Sequence, residues 1–306
     1  MRVKRSWVLS LLWIAVAVFS PLSAHARKNA LVFQTDFGVK DGAVSAMKGV
    51  AFGVDSSLAI FDLTHEIPPF NIWEAAYRLR QTIPYWPSGT VFVSVVDPGV
   101  GTERRSVVLK TRSGHFIVSP DNGTLTLVAE QLMIEEIRKI DEKFNRRKGS
   151  ELSHTFHGRD VYALTGARLA AGVMAFRKVG PRLPPVVLSI PYEKPRISSD
   201  ILYGAIPVLD IRYGNVWTNI GIDLFGKTDS KTGDIFCVNI HQGDVKKYSG
   251  KMPYVKSFGY VPEGRPLIYL NDLLNVAIAE NQGNFAGRHH IKAGAGWKID
   301  LKKCDP

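Results

Sequence analysis

The sequence predicts an α/β N-terminal domain, in which helices flank a mainly parallel sheet, followed by a smaller all-β C-terminal domain. Short apolar runs alternate with helical patterns from residue 30 to about residue 172, which is typical of a parallel α/β layer. Prolines then crowd residues 181–195, and beyond them short β-like runs follow one another with few amphipathic helices. A chain of 306 residues is long enough for two such domains.

The N-terminal part contains five predicted strands and two predicted helices. Helix 42–54 places Val44 and Met47 near one face, and helix 73–82 does the same with Tyr77 and Leu79. Both patterns indicate helices that cover a sheet. The predicted strands lie at residues 30–34, 58–62, 91–96, 106–111 and 115–119.

In the C-terminal part, short apolar runs are separated by turns rich in Gly, Asn and Asp, which favours strands. We place the domain boundary in the proline-rich segment because proline disfavours regular structure. The predicted domains are therefore residues 27–195 and 196–306. The C-terminal strands are predicted at residues 205–211, 235–240, 266–270 and 297–301.

The first 26 residues predict a secretory signal peptide. They combine a basic start, an apolar run at residues 7–22 and the small-x-small sequence Ala24-His-Ala26. An uncleaved signal anchor is the alternative, although the run contains Pro21 and is short for a span of about 20 residues. We expect an exported, periplasmic protein that meets the membrane only through this segment.

The formal net charge of +11 does not indicate a nucleic-acid partner, because the basic residues are dispersed. Their densest stretch, residues 138–148, mixes both signs and predicts a solvated face or loop. Cys237 and Cys304 both lie in the exported part, where oxidation is possible. Their spacing leaves a disulfide and two free thiols as open alternatives.

Polar sequences follow three predicted strands at the point where each strand ends. They are Thr35-Asp-Phe-Gly38, Asp62-Leu-Thr-His65 and Asp97-Pro-Gly-Val-Gly101. Ligands bind at the carboxyl ends of strands in open α/β sheets, so we expect the three acidic ends to converge on one crevice. For any one of them, the preference of aspartate for turns is a sufficient alternative.

Two further side chains are candidates for this crevice. Arg104 follows Asp97 by seven residues and could pair with it and keep it ionised, although a surface pair without function is the alternative. His157 lies in Thr155-Phe-His-Gly-Arg-Asp160, just before a helical run, where it could reach a polar crevice.

Two classes of catalytic site are not predicted. His154 and His157 could be proposed as metal ligands, but no third ligand lies at a recognisable spacing, so no metal is expected. The sequence also contains no Gly-x-Ser-x-Gly elbow, so covalent catalysis by a serine is not supported.

Taken in order, these motifs resemble the S-adenosylmethionine (SAM) hydrolases, or SAM hydroxide adenosyltransferases, relatives of the SAM-dependent chlorinases and fluorinases. The resemblance covers essentially the whole mature chain and also rests on Ser119-Pro-Asp-Asn-Gly123, on Asn215 with Thr218-Asn219, and on Asn281-Gln-Gly-Asn284. It implies hydrolysis of SAM, the small-molecule substrate, to adenosine and methionine by activated water, with no cofactor. It further implies a β-barrel-like C-terminal domain and a homotrimer with sites between neighbouring subunits.

The resemblance also implies nine site residues. The family's catalytic Asp–Arg–His set falls on Asp97, Arg104 and His157. The substrate-binding positions are Asp36 for the ribose, Phe70 and Phe156 around the nucleoside, and Asp210, Tyr213 and Asn215 at the methionine end.

A SAM-dependent halogenase and an exported nucleoside-binding protein without catalysis are the alternative functions. In the halogenases the position of Asp97 is not Asp, and the fluorinases carry an inserted loop where this chain runs directly from Arg105 to Ser119. Both differences favour a hydrolase. One departure from the family is Asp272, which stands where many relatives have serine near the methionine carboxylate. The Asp272 side chain would repel that carboxylate unless it turns toward the amino group of the substrate.

Overall fold

The computed structural model describes residues 29–294 and 296–304, so the predicted signal segment lies outside the described residues. In the described part of the chain, no helix is both long and apolar enough to cross a membrane. The α/β domain comes first and the antiparallel sheets follow, which confirms the predicted fold class.

Seven strands form one mixed sheet in the N-terminal half, in the order β2-β1-β3-β5-β4-β6-β7. The neighbours from β2 to β5 are parallel, whereas the neighbours from β5 to β7 are antiparallel. Only four residues join β4 to β5, too few for the crossover that parallel strands need. The strands are β1 (Leu31–Thr35), β2 (Ile60–Thr64), β3 (Val91–Val95), β4 (Ser106–Thr111), β5 (Phe116–Pro120), β6 (Ile134–Lys139) and β7 (Arg182–Leu183).

Helices cover both faces of this sheet because successive strand residues point to opposite sides. In β1, Leu31 and Phe33 pack in one apolar cluster with α1 and α5, while Val32 packs in another with α2 and α3. The two predicted helices are thus confirmed as covering helices. The helices are α1 (Ala43–Val54), α2 (Ile72–Thr82), α3 (Thr126–Leu132), α4 (Glu142–Asn145) and α5 (Leu164–Ala170), the last preceded by a π-helical turn, Gly158–Ala163.

Two antiparallel sheets enclose a second core in the C-terminal half. Four strands pair in the order β10-β11-β15-β14, and five pair in the order β13-β12-β16-β9-β8. Apolar side chains of both sheets meet in one cluster, as Val216 and Ile278 do with Phe236 and Ile299. The elements are β8 (Arg196–Ser198), β9 (Ile201–Ala205), β10 (Val208–Asp210), β11 (Asn215–Gly221), α6 (Ile222–Phe225), β12 (Ile235–Gln242), β13 (Val245–Pro253), β14 (Pro266–Leu270), β15 (Asn275–Glu280), α7 (Phe285–Arg288) and β16 (Trp297–Lys303).

The two halves pack against each other through α2. The indole N–H of Trp73 donates to the carbonyl of Pro207 over 2.9 Å, and Arg78 donates to the carbonyl of Leu209 over 3.2 Å. Residues 184–195, in the proline-rich segment, contain no helix or strand. A disulfide joins Cys237 to Cys304 and ties β12 to the residue after β16, which resolves the alternative left open by the spacing.

Candidate active site

A cleft opens at the carboxyl ends of β1 and β3, beside the start of the π-helical turn. Parallel neighbouring strands end at the same edge of a sheet, so the loops after β1 and β3 meet there. The cleft has a volume of about 240 Å³. It is lined by five of the predicted site residues, Asp36, Phe70, Asp97, Phe156 and His157, together with Phe37, Pro69, Val95, Val100, Thr155 and Gly158.

The expectation that all three acidic strand ends converge is wrong for Asp62. Its carboxylate accepts hydrogen bonds from Lys48 over 2.6 Å and from His65 over 3.0 Å, and it does not line the cleft. Partial burial works to raise the pKa of Asp62, but these two partners lower it below its ordinary value. Asp62 therefore lies within β2 and outside the crevice itself.

Asp97 and Arg104 form a bidentate ion pair at the floor of the cleft. Arg104 Nε donates to Asp97 Oδ1 over 2.8 Å, and Arg104 Nη2 donates to Asp97 Oδ2. Only 5% of the Asp97 side chain and 11% of the Arg104 side chain are exposed, so the alternative of a surface pair is wrong. Two parallel hydrogen bonds fix the carboxylate in orientation as well as in charge.

A buried tyrosine supports the opposite side of Arg104. Arg104 Nη1 donates to Ser106 Oγ over 2.9 Å, and this oxygen lies 3.0 Å from the Tyr162 hydroxyl. The guanidinium also lies 5.6 Å from the centre of the Tyr162 ring. Burial raises the pKa of Tyr162 well above its ordinary value, so the phenol stays neutral and acts as an uncharged support.

His157 immediately precedes the π-helical turn and is in contact with two arginines. Its Nδ1 lies 3.1 Å from Arg104 Nη2, and its Nε2 lies 3.0 Å from Arg146 Nη2. Burial lowers the pKa of His157, as do both arginines, while Glu142 and Asp97 act in the opposite direction. The net pKa lies below the ordinary value, so the imidazole is uncharged at neutral pH.

Arg146 and Glu142 belong to the site but were not predicted from the sequence. Both lie in the charged stretch 138–148, whose interpretation as a solvated face or loop is wrong for Arg146. Arg146 Nη2 donates to Glu142 Oε2 over 2.5 Å, and only 10% of the Arg146 side chain is exposed. The i,i+4 spacing of the two charges was the available signal, but it also fits an ordinary surface pair.

The loop after β1 and the residues around Phe70 form the rim of the cleft. The backbone N–H of Phe70 donates to Asp36 Oδ2 over 2.9 Å, which joins the two loops. Phe70 has a φ of 65° and leaves 70% of its surface exposed. The Phe156 and Phe37 rings meet edge to face beside Gly158, where a Cβ would come within 3.2 Å of Phe37.

The three residues predicted for the methionine end lie apart from this cleft. Asn215 Nδ2 donates to Asp210 Oδ2 over 3.1 Å, and Tyr213 lies on the exposed turn between them. None of the three lines the cleft. One chain therefore presents two separate groups of predicted site residues.

Family models match both halves of the chain. The model for the N-terminal domain of SAM hydroxide adenosyltransferases matches residues 31–180, and the model for their C-terminal domain matches residues 204–298. A Methanocaldococcus jannaschii protein named (R)-S-adenosyl-L-methionine hydrolase is 40% identical over 75% of this chain and 80% of its own length. The chain belongs to the SAM hydroxide adenosyltransferase family. The resemblance of its motifs to this family is thus confirmed.

Other members of the SAM hydroxide adenosyltransferase family and their relatives are similar along most of the chain. The (R)-S-adenosyl-L-methionine hydrolase of Thermus thermophilus is 32% identical over 86% of this chain and 96% of its own length. A fluorinase of an Actinoplanes species is 28% identical over 88% of this chain and 97% of its own length. An uncharacterized conserved protein from Thermotoga maritima superimposes with a TM-score of 0.81 at 34% identity, covering 89% of this chain and all of that one.

Among the described residues, the donors needed for a resident metal are not grouped. Within residues 29–294 and 296–304, no three His, Cys, Asp or Glu side chains are arranged to hold a metal ion. The His154 and His157 rings lie 6.3 Å apart, and His157 already faces a guanidinium at each nitrogen.

Proposed function

We propose that the protein hydrolyses SAM to adenosine and L-methionine, with water attacking the ribose C5′. The observation that carries this proposal is Asp97, which lines the same cleft as Asp36 and His157 and is held there in a buried ion pair by Arg104. Relatives named (R)-S-adenosyl-L-methionine hydrolase match most of the chain. The similarity to fluorinases is lower, and Asp97 is not expected at this position in a halogenase.

The chemistry needs a positioned water more than an acid. As the water oxygen bonds to C5′, the C5′–S bond breaks and its electron pair stays on sulfur, so a sulfonium becomes a neutral thioether. The leaving group requires neither protonation nor a metal ion, and we propose that the reaction is metal-independent and uses no cofactor. The proton lost by water must reach a base, and holding the water in line supplies most of the remaining rate enhancement.

Each catalytic side chain has a role that follows from its contacts. Asp97 orients the water and accepts its proton. Arg104 holds both carboxylate oxygens of Asp97 and favours negative charge on the attacking oxygen. Both oxygens of Asp97 already accept hydrogen bonds from Arg104, so we assign more of the catalysis to positioning and electrostatics than to strong base catalysis. His157, which is uncharged, lies against Arg104 at the edge of the cleft.

Asp36, Phe70 and Phe156 are the proposed nucleoside contacts because they line the same cleft. We assign Asp36 to the ribose hydroxyls, since a carboxylate accepts hydrogen bonds from a diol. The proposed methionine contacts are Asp210, Tyr213 and Asn215. They lie outside the cleft, so we propose that a neighbouring subunit of a homotrimer brings them to it.

Export is also proposed. The apolar run and small-x-small sequence in the first 26 residues support it, and so does the Cys237–Cys304 disulfide, because disulfides persist mainly in oxidising compartments. Sequencing the amino terminus of the protein recovered from the periplasm should start at Arg27. A terminus at Met1 would contradict cleavage.

The function is tested with SAM in halide-free buffer and in excess chloride, with the products separated by chromatography. We expect adenosine and methionine in both buffers, and a loss of about 10²- to 10⁴-fold in kcat for Asp97→Ala. Asp244→Ala removes an exposed carboxylate from a hairpin turn and should leave kcat unchanged. A chlorinated nucleoside would instead identify a halogenase, and undiminished hydrolysis in Asp97→Ala would refute the role of Asp97.

A further inference from the structure

The His157 ring has a guanidinium at each of its two nitrogens. Arg104 approaches Nδ1 from the β4 side of the cleft, and Arg146 approaches Nε2 from the residue that follows α4. Asp97 and Glu142 are the carboxylates held by these two arginines. The ring centre of a second histidine, His154, lies 6.3 Å away.

The hydrogen-bonding capacities of arginine and histidine decide which protonation state of His157 fits this geometry. A guanidinium only donates hydrogen bonds, and a neutral imidazole has one N–H and one lone pair. One nitrogen of His157 can therefore accept from an arginine, while the other directs its N–H toward a second donor. An imidazolium would direct an N–H toward a guanidinium at both nitrogens and would add a third positive charge.

Arg146 is held in place by Glu142. The Nη2–Oε2 distance of 2.5 Å joins the first turn of α4 to the residue that follows it, and the Arg146 side chain is nine-tenths buried. Arg104 is held just as firmly by Asp97, so neither guanidinium can turn away without breaking an ion pair.

We propose that Arg146, oriented by Glu142, is a positioning residue that keeps His157 uncharged and its ring fixed beside the catalytic Arg104. This role rests on the proposed hydrolysis. The directions of the pKa contributions agree with it, because burial and both arginines lower the pKa of His157 whereas Glu142 raises it. Removing Arg146 and removing Glu142 must then move that pKa in opposite directions.

The sign of the pH dependence follows. A histidine whose pKa is lowered stays neutral until the pH falls below that pKa, so activity that needs neutral His157 persists below pH 6.5, the ordinary histidine midpoint. Without Arg146 the midpoint rises, and activity is lost at a higher pH. Without Glu142 the midpoint falls further.

The test is a proton–nitrogen NMR titration of the histidine rings in the full-length protein, with His157→Gln used to assign the signal. We expect Arg146→Gln to raise the His157 midpoint by about 1 pH unit and Glu142→Gln to lower it. Arg146→Lys, which keeps the charge, should remain near the parent protein. Lys148→Gln removes an exposed positive charge two residues further on and should leave the midpoint in place.

The acidic limb of kcat/KM for SAM should follow the NMR midpoints in the same order. A parent midpoint at or above pH 6.5, or equal midpoints in Arg146→Gln and Glu142→Gln, would overturn the proposal. Because the titration needs no turnover, it tests the role of Arg146 independently of the proposed hydrolysis of SAM. Midpoints that shift as expected without any hydrolysis would support the role of Arg146 and contradict the proposed function. If Arg146→Gln does not fold, Glu142→Gln still shows whether the His157 midpoint shifts in the expected direction.

Discussion

Asp272 gives the C-terminal group of predicted site residues an acidic character. Burial raises the pKa of the nearby Tyr269 to about 12, and the charges of Asp210 and Asp272 both act in the same direction. The Asn271 side chain beside it is buried, and its Nδ2 has no hydrogen-bond partner among the described residues. Two carboxylates therefore face a region where a SAM carboxylate is proposed to bind.

Replacing Asp272 with serine should lower KM for SAM about fivefold, because one like-charge repulsion worth about 1 kcal/mol is removed. kcat should change little, since the residue lies far from the reacting C5′ in the proposed arrangement. Steady-state kinetics check this, with Asp244→Ser as the control for loss of an exposed acid. A higher KM in Asp272→Ser would instead show that Asp272 binds the substrate's amino group.

Motifs that fix the local backbone explain where several of the predicted site residues lie. Asp97, Arg104 and His157 meet as expected because the tight loop after β3 and the start of the π-helical turn bring them to one cleft. Arg146 could not be predicted, since its partner His157 is eleven residues away and the stretch around it is rich in charges of both signs. Its contacts with His157 and Glu142 hold it where only 10% of its side chain is exposed.

Among the elements, β1 and β2 are joined by a buried polar network. Thr35 Oγ1 lies 2.8 Å from His65 Nδ1, and His65 Nε2 lies 3.0 Å from Asp62 Oδ1. The backbone N–H of Gly38 donates to the carbonyl of His65 over 2.8 Å. The loop between Thr35 and Gly38, which carries the proposed ribose contact Asp36, is thereby tied to the end of the neighbouring strand.

Thr35→Val keeps the shape of the side chain and removes its hydroxyl, so we expect a loss of about 1 to 3 kcal/mol in the free energy of unfolding. His65 Nδ1 and the backbone N–H of Phe37 would then lose their partner. KM for SAM should rise more than kcat falls, because Asp36 is proposed to bind the ribose. Urea denaturation and kinetics test this, with the exposed Thr232→Val as control. Unchanged stability and KM would exclude the network as a support of the cleft.

Elements with clear periodicity were predicted, and charged or short ones were not. The helices at 43–54 and 72–82 match the predictions closely because each buries one apolar face. No element was predicted for β6, which carries Glu135, Glu136 and Arg138 in a sheet. Its charged side chains make ion pairs with neighbours instead of showing an apolar alternation. The antiparallel pairing of β5, β4, β6 and β7 was not predicted either. The direction of a strand depends on connection length and on partners that are distant in sequence.

At the scale of the whole molecule, the two groups of predicted site residues remain separate within one chain. A cleft of about 240 Å³ is below the usual range of small-molecule sites, which is roughly 300 to 1,000 Å³. Phe70 at its rim is exposed, and so are Ile211 and Tyr213 beside the second group. Exposed apolar side chains around both groups support the proposal that a neighbouring subunit completes each site.

That proposal predicts complementation between two inactive variants. In a closed ring of three subunits, each site would take its cleft from one chain and its methionine contacts from the next. Asp97→Ala inactivates only the cleft of its chain. The double variant Asp210→Ala with Asn215→Ala inactivates only the methionine contacts. Co-expressing the two in equal amounts should therefore recover about a quarter of the parent activity, because random assembly places two intact parts together in about one site in four. Mixing the separately assembled proteins without subunit exchange is the control and should recover none. If co-expression also yields none while mixed trimers are isolated through two different tags, the sites are not shared and each chain must bind SAM alone.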